Sequence, residues 1–222
     1  MLCILQARMS SRRLPGKMLL QLKDRAILGR TLDRLSRSKT ISSLVVATSD
    51  NTSDDPIAEF CALECVRCFR GSLDNVAARF RQVLEQERAA QFLRVSGDSP
   101  LIDAALVDQA VRYFFAGACD LATNIVTRTF PKGQSVEVLL TETFLQVCDT
   151  FSTSDQQEHV TRFYYENPSV FRIASFTSGR NYGDINLSVD TELDFARVAA
   201  ILERSGNRPG TWSELASVSE CL

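Results

Sequence analysis

Histidine occurs once in 222 residues, and so does tryptophan. One imidazole excludes a histidine-built metal site and leaves a nucleophilic triad a single possible base. Net charge is nearly absent as well. With 25 Lys and Arg against 27 Asp and Glu the formal charge is -2, which gives no general attraction to nucleic acid. No apolar run is long enough to span a bilayer. The amino terminus has no charged stretch leading into an apolar one, as a secretory signal would. These absences lead to the expectation of a cytoplasmic protein with neither nucleic acid nor membrane as partner. Repeats and low-complexity tracts are missing too. So is a Walker A loop: Ser11 stands where its first glycine belongs, and Met18 where Ser or Thr belongs. No Gly-x-Gly-x-x-Gly is present.

What is present is 45% hydrophobic residues, enough for the core of one domain spanning 1–222. The seven cysteines are an odd number, and most sit beside apolar residues (Cys3, Cys61, Cys119, Cys148). That pattern argues against a secreted disulfide scaffold. Cys61, Cys65 and Cys68 are close enough in sequence to raise a zinc site, but buried free thiols are the plainer reading.

The most unusual stretch runs from Gln6 to Lys17, Gln-Ala-Arg-Met-Ser-Ser-Arg-Arg-Leu-Pro-Gly-Lys. It places Arg8, Arg12, Arg13 and Lys17 within a dozen residues of a slightly acidic chain. Such crowding costs repulsion that an arriving anion relieves. Pro15-Gly16 turns the chain, and Gly16 permits close approach of backbone to a ligand. The competing reading is a solvated basic loop. Its position after the buried strand Leu2 to Leu5 favours a polyphosphate site, because open α/β sheets bind ligands at the carboxyl ends of strands.

Strand and helix patterns then alternate. A helical period from Ile27 to Ser38 precedes a strand at Leu44–Thr48; a helix led by Pro56 runs to Leu63. A strand at Cys65–Phe69 precedes a helix from Asp74 to Arg88. Phe92–Val95 is a fourth strand, and Asp103 caps a fourth helix. Four such rounds predict an α/β, three-layer, mostly parallel sheet. After Asp120 the rhythm changes. Strands are expected near 121–124, 136–140 and 171–176, with helices at 142–150, 155–165 and 193–202. The segment of about 127–186 reads as an insertion serving as a lid or a dimer contact, and the last dozen residues are weakly patterned.

Asp98 follows the fourth strand beside Gly97 and Pro100, and Asp190 follows the apolar run Ile185–Val189. Carboxylates at strand ends suit Mg2+, which takes one or two of them plus phosphate oxygens. Capping of the next helix is the plainer role for each alone. The two would converge near the first loop if their strands were sheet neighbours. Glu137 alternates with apolar residues on a strand, and so is either solvated or aimed into a pocket. His159, as a lone histidine, reads first as structural.

Taken together these residues resemble a known family. The Gln6–Lys17 stretch is similar to the signature of cytidylyltransferases that make CMP-activated acidic sugars, above all the spore-coat polysaccharide SpsF type, related to CMP-KDO and CMP-acylneuraminate synthetases. Further likenesses lie at Gly71-Ser72 with 74–79, at 97–103, at 130–133 with 136–138, at 158–161 and at 187–191. They occur in the family's order over nearly the whole chain. The resemblance implies a nucleotide-diphospho-sugar transferase (Rossmann-like) fold and transfer of CMP from CTP to an acidic sugar. It also implies Mg2+ as cofactor, and a homodimer is a possibility that it raises. It assigns Ala7, Arg8, Arg13, Lys17, Ser72, Asn75, Arg79 and Gly97 to the nucleotide, and Asp98 and Asp190 to Mg2+. Arg8, Lys17 and Asp98 would be catalytic; Lys132, Glu137 and His159 fall in its sugar-binding half. Three positions depart from the pattern: Ser10 replaces Gly, Arg12 replaces Thr or Ser, and Ser135 replaces Asp. Three other functions fit the same fold: another nucleotide with a sugar phosphate, a glycosyltransferase using a finished nucleotide sugar, and a non-catalytic nucleotide-binding module.

Overall fold

Leu2–Gln6 (β1) is almost entirely buried, with Cys3, Ile4 and Leu5 at 0% exposure. A strand so placed needs neighbours on both edges and cover on both faces. In the computed structural model, which describes residues 1–206 and 210–221, it has both. Ser43–Ser49 (β4) pairs in parallel on one side and Gln91–Ser96 (β6) on the other. Arg67–Gly71 (β5), Leu121–Thr123 (β7), Glu137–Leu140 (β8) and Ile173–Ser175 (β9) complete a seven-stranded sheet in the order β5-β4-β1-β6-β8-β7-β9. Ladders β4–β5 and β7–β9 are also parallel, whereas β8 runs antiparallel to both its neighbours. The sheet is therefore mostly parallel. A separate small hairpin, Gln21–Leu22 (β2) with Arg25–Ala26 (β3), follows the cationic loop.

Side chains alternate across the sheet, so odd and even residues of β1 enter different cores. Cys3 and Leu5 pack with Ile27–Leu35 (α1), Asp55–Leu63 (α2) and Ala104–Gly117 (α4). Leu2 and Ile4 pack on the other face with Val76–Glu87 (α3), Thr141–Cys148 (α5) and Arg162–Glu166 (α7). There Phe92 stands edge-on to both Phe80 and Phe144, at centroid distances of 6.2 and 5.4 Å. The three expected layers follow.

Asp108 of α4 ties the chain between α1 and β4 to the first of these cores. It accepts from Ser38 Oγ, from the Lys39 and Thr40 amides (3.1 Å each) and from Thr40 Oγ1 (2.7 Å). Burial opposes its ionisation, but these donors outweigh burial and hold its pKa below the usual carboxylate range. Asp108→Ala should cost about 3 kcal/mol, because several donors lose a charged acceptor. The expected readout is a lower urea midpoint with an unchanged slope. A group with a depressed folded pKa stabilises above its unfolded value and ceases to do so as pH falls through the folded one. The gap between wild type and variant should therefore close in acid.

Two readings of the sequence are corrected, and a third is completed. The helix expected over 155–165 is two short ones, Ser154–Glu158 (α6) and α7, interrupted at His159 (ψ 76°). The β-branched pair Val160-Thr161 is poorly suited to helix, and the break lets Val160 enter the core at 0% exposure. Ile185–Val189 forms no strand of the sheet; its one ladder contact is an isolated parallel bridge, Lys132 to Asn186. The weakly patterned end holds a helix, Trp212–Glu220 (α9), started by a capping box in which Thr211 and Glu214 bond reciprocally. This helix packs Leu215 against Leu101 and Leu202, the last from Glu192–Arg204 (α8). The cysteines are free, with Cys61 buried and Cys65 exposed. Among the described residues no three His, Cys, Asp or Glu side chains are grouped to hold a metal. The 127–186 segment contributes β8, which lies inside the sheet between β6 and β7, as well as β9.

Candidate active site

The order of strands reverses about β1, and the carboxyl ends of β1 and β6 open side by side at that point. The Gly97 amide donates to Gln6 O at 2.8 Å. A Cβ at Gly97 would meet Gln6 O at 3.1 Å and both Ala7 Cβ and Met18 Sδ at 3.2 Å. Glycine lets the two strand ends close this tightly, since a Cβ would have to push its neighbours back by a few tenths of an ångström.

The cationic loop leaves β1 at this closure. Met9 O accepts the amides of Ser11 (2.8 Å) and Gly16 (3.0 Å), closing a ring that carries Arg12 and Arg13. Gly16 has φ +72°, a left-handed conformation that strains a side chain, and it launches the 3-10 turn Lys17–Leu19. Lys17 is consequently turned inward and is 5% exposed.

Its ammonium meets three acceptors: Asp98 Oδ2 at 2.7 Å, Asp190 Oδ1 at 2.8 Å and Val189 O at 2.9 Å. Arg13 reaches the same Asp190 oxygen at 3.0 Å, and Arg8 pairs with Glu158 at 2.6 Å. Asp190 does not arrive on a neighbouring strand. Val189 N donates to Asp98 O at 2.9 Å, and Leu187 N to Lys132 O at 2.8 Å, which lays 185–190 beside the end of β6. Gly133 (φ +85°) allows this, since a Cβ there would sit 2.7 Å from Leu187 C and Ser188 N. Asp194 then locks the corner. Its Oδ2 accepts the Asp190 and Thr191 amides, at 3.2 and 3.0 Å, and Thr191 Oγ1 at 2.8 Å. Burial raises its pKa, yet those bonds and Arg197 prevail and keep it low.

These groups line a cavity of about 680 Å³, with Ala7, Arg8, Arg12, Arg13, Lys17, Asp98, His159 and Asp190 on its wall. That volume suits a small-molecule ligand. A smaller recess of about 220 Å³ shares Arg94, Ser96, Asp98 and Asp190 with it and adds Arg128, Lys132, Ser135 and Glu137. Lys132 and Glu137 thus lie together, whereas His159 lines the larger cavity beside Glu158. Glu137 is 2% exposed. It pairs with Arg94 and accepts from Tyr165 Oη at 2.6 Å, and burial and its charge push that phenol's pKa well up.

Ser72, Asn75 and Arg79 stand behind the wall that Leu73 and Asp74 present. Ser72 Oγ accepts the Asn75 amide at 3.0 Å, and Asn75 Oδ1 caps α3 through the Ala78 amide at 2.8 Å. Arg79 donates to Ser72 O at 2.8 Å from a wholly buried position, and its Nε and Nη2 have no partner. Burial pulls its guanidinium pKa down to about 10.

Asp98 and Asp190 both reach one ammonium, so they are close enough to share a single cation. Two carboxylates facing a cavity with room for phosphate oxygens are a donor set that fits Mg2+. Glu158 and Arg94 complete the wall and were not singled out from sequence. Arg94 was open to the argument used for Glu137, since it is a charge set inside the apolar run Phe92–Val95.

Comparison with known proteins agrees with this geometry. A family model described as cytidylyltransferase matches residues 2–201. The spore coat polysaccharide biosynthesis protein SpsF of Bacillus subtilis is 32% identical over 215 residues, 94% of this chain and 88% of the relative. The 3-deoxy-manno-octulosonate cytidylyltransferase of Solibacter usitatus is 32% identical over 108 residues, 49% of this chain and 42% of its own. Among solved structures, a cytidylyltransferase from Leptospira borgpetersenii superposes with a TM-score of 0.94 at 28% identity, covering 98% of this chain and 92% of that one. A CMP:2-keto-3-deoxy-manno-octonic acid synthetase complexed with CTP gives 0.70 at 18% identity, covering 92% and 98%, and shares the fold. With the family model spanning nearly the whole chain, the protein belongs to the cytidylyltransferase family.

Proposed function

We propose that the protein transfers CMP from CTP to an acidic sugar of the 2-keto acid type, releasing pyrophosphate, as a step in building a surface polysaccharide or glycan. The observation that carries this reading is the meeting of Lys17, Asp98 and Asp190 under a cation-lined cavity at the carboxyl ends of β1 and β6. Relatives named for spore coat polysaccharide biosynthesis and for 3-deoxy-manno-octulosonate support the choice of acceptor.

The reaction is an in-line displacement. A sugar hydroxyl oxygen bonds to the α-phosphorus as the bond to the β-phosphate breaks, so charge neutralisation matters more than covalent catalysis. Arg8, Arg12, Arg13 and Lys17 surround the larger cavity and would hold the triphosphate and the departing pyrophosphate. Mg2+ held by Asp98 and Asp190 would draw charge from the α-phosphate. The smaller recess, opening from the same carboxylates, would take the sugar. Arg128 and Lys132 supply it with positive charge for an acidic group, and Ser135, where relatives were expected to carry Asp, adds none of the opposing sign. The Arg94–Glu137–Tyr165 set fixes its back wall.

A panel of CTP, UTP, GTP, ATP and dTTP against 2-keto acid sugars with Mg2+, read by pyrophosphate release, tests this. Turnover should require CTP and an acidic sugar, with other nucleotides at least about a hundredfold slower. Turnover with another nucleotide and a sugar phosphate would replace the reading, and so would consumption of a CMP-sugar without CTP. Tight CTP binding with no turnover over a broad sugar set would indicate a binding module.

A further inference from the structure

Asp54 is wholly buried, carries a carboxylate, and lies outside the set of residues assigned above. It ends the 3-10 turn Thr52–Asp54 that follows β4 and stands at the N-cap of α2, where an aspartate ordinarily accepts from the helix's own amides. Here it makes no such bond. Oδ2 turns back to β4, accepting from Thr48 Oγ1 and the Ser49 amide (3.1 Å each) and from Ser49 Oγ. Oδ1 crosses to the cationic loop and accepts the Met9 amide at 2.7 Å.

Met9 is the residue on which that loop closes. Its carbonyl takes the amides of Ser11 and Gly16, so its peptide plane sets the ring carrying Arg12 and Arg13 and the direction in which Lys17 enters. Arg8 precedes it directly. Of the carboxylates near the buried Arg79, Asp54 contributes most to keeping that guanidinium charged. A forgone helix cap, a wholly buried anion and a single bond to the hub of the loop together describe an anchor.

We propose that Asp54 is a positioning residue for the nucleotide: it fixes the Met9 peptide, and through it the cationic loop, in the form that receives a triphosphate. The proposal rests on the reading of that loop as a triphosphate site, and adds to it that the form exists before nucleotide arrives.

Asp54→Asn tests it at nearly constant volume. An amide has one accepting oxygen, so the Met9 and Ser49 amides cannot each keep a separate acceptor atom. The dissociation constant for CTP with Mg2+, measured by titration calorimetry, should rise about tenfold, the effect of losing one hydrogen bond to a charged group. With a sugar that supports turnover, KM for CTP should rise similarly and kcat at saturation should change less than about threefold. Thr48→Val removes a bond to Oδ2 alone. It should lower Tm and leave CTP affinity unchanged, marking the purely structural share. Amide exchange in the wild type gives an independent reading if Asp54→Asn does not fold. The Met9 amide should be protected without nucleotide, and its protection should not increase on adding CTP.

Unchanged CTP affinity in folded Asp54→Asn would overturn the proposal while leaving the triphosphate reading in place. A Met9 amide that is protected only with CTP would do the same. A wild type that binds no nucleoside triphosphate would remove the triphosphate reading, and the anchor with it.

Discussion

Asp98→Asn and Asp190→Asn are each expected to reduce pyrophosphate release by about a thousandfold or more, with the fold intact. The size follows from the charge placed at the reacting phosphate. Each carboxylate is both a partner of the Lys17 ammonium and half of the only donor pair proposed for Mg2+. An amide keeps the shape and removes the charge, so it weakens metal binding where negative charge would develop. Stability should suffer far less. The two side chains are 20% and 32% exposed, and the bond that joins the segments, Val189 N to Asp98 O, is made by backbone. Removing one anion leaves Lys17 with the other, at a cost of about 1–2 kcal/mol rather than the larger penalty of a stranded buried charge. Rates and thermal unfolding of both variants check this. A loss of less than about tenfold in well-folded protein would remove the metal assignment.

That Asp98 and Asp190 meet was legible in the sequence; the route by which they meet was not. Reading each as the end of a strand came from a local pattern, an apolar run followed by Asp, and for β6 the pattern and the structure agree. For Ile185–Val189 the same pattern marks a segment that buries Leu187 and Val189 against α8 and α9. Only its main-chain bonds to Lys132 and Asp98 make it parallel to the sheet, and such bonds leave no residue-type signal. The first four strand–helix rounds were readable because β1, β4 and β6 are largely buried, the half-exposed edge strand β5 is bounded by Gly71, and each helix shows one apolar stripe. The region after Asp120 was harder, since its strands have three or four residues and its helices as few as five. Helix α9 escaped notice for lack of a long apolar stripe, although Thr211-x-x-Glu214 is a capping box in plain view. The cationic loop was visible as composition. Its anchorage through Asp54 and its latch from Arg8 to Glu158, 150 residues away, are tertiary facts.

Lys17→Met should separate metal binding from turnover, and in opposite directions. An ammonium has three protons to donate, and all three of Lys17's are used, on Asp98, Asp190 and Val189 O. In this arrangement it has none left for a phosphate, and it neutralises the two carboxylates that a divalent ion would need. A triphosphate entering the cavity brings the charge that can draw the ammonium away, freeing the carboxylate pair as it does so. Metal and nucleotide should therefore bind cooperatively in the wild type, each weakly alone. At an effective dielectric of 20, one unit charge about 4 Å away is worth about 4 kcal/mol, more than enough to change an affinity tenfold. With methionine at position 17, Mn2+ should bind the nucleotide-free protein at least about tenfold more tightly than it binds wild type. CTP should then improve that affinity much less than in wild type, while pyrophosphate release falls by about a thousandfold for want of a cation on the leaving group. Electron paramagnetic resonance titration of free Mn2+, with and without CTP, measures the first two; the release assay measures the third. If Mn2+ bound the two proteins equally without CTP, Lys17 would not be what holds the carboxylates closed to metal. The ammonium would then act on the phosphates alone.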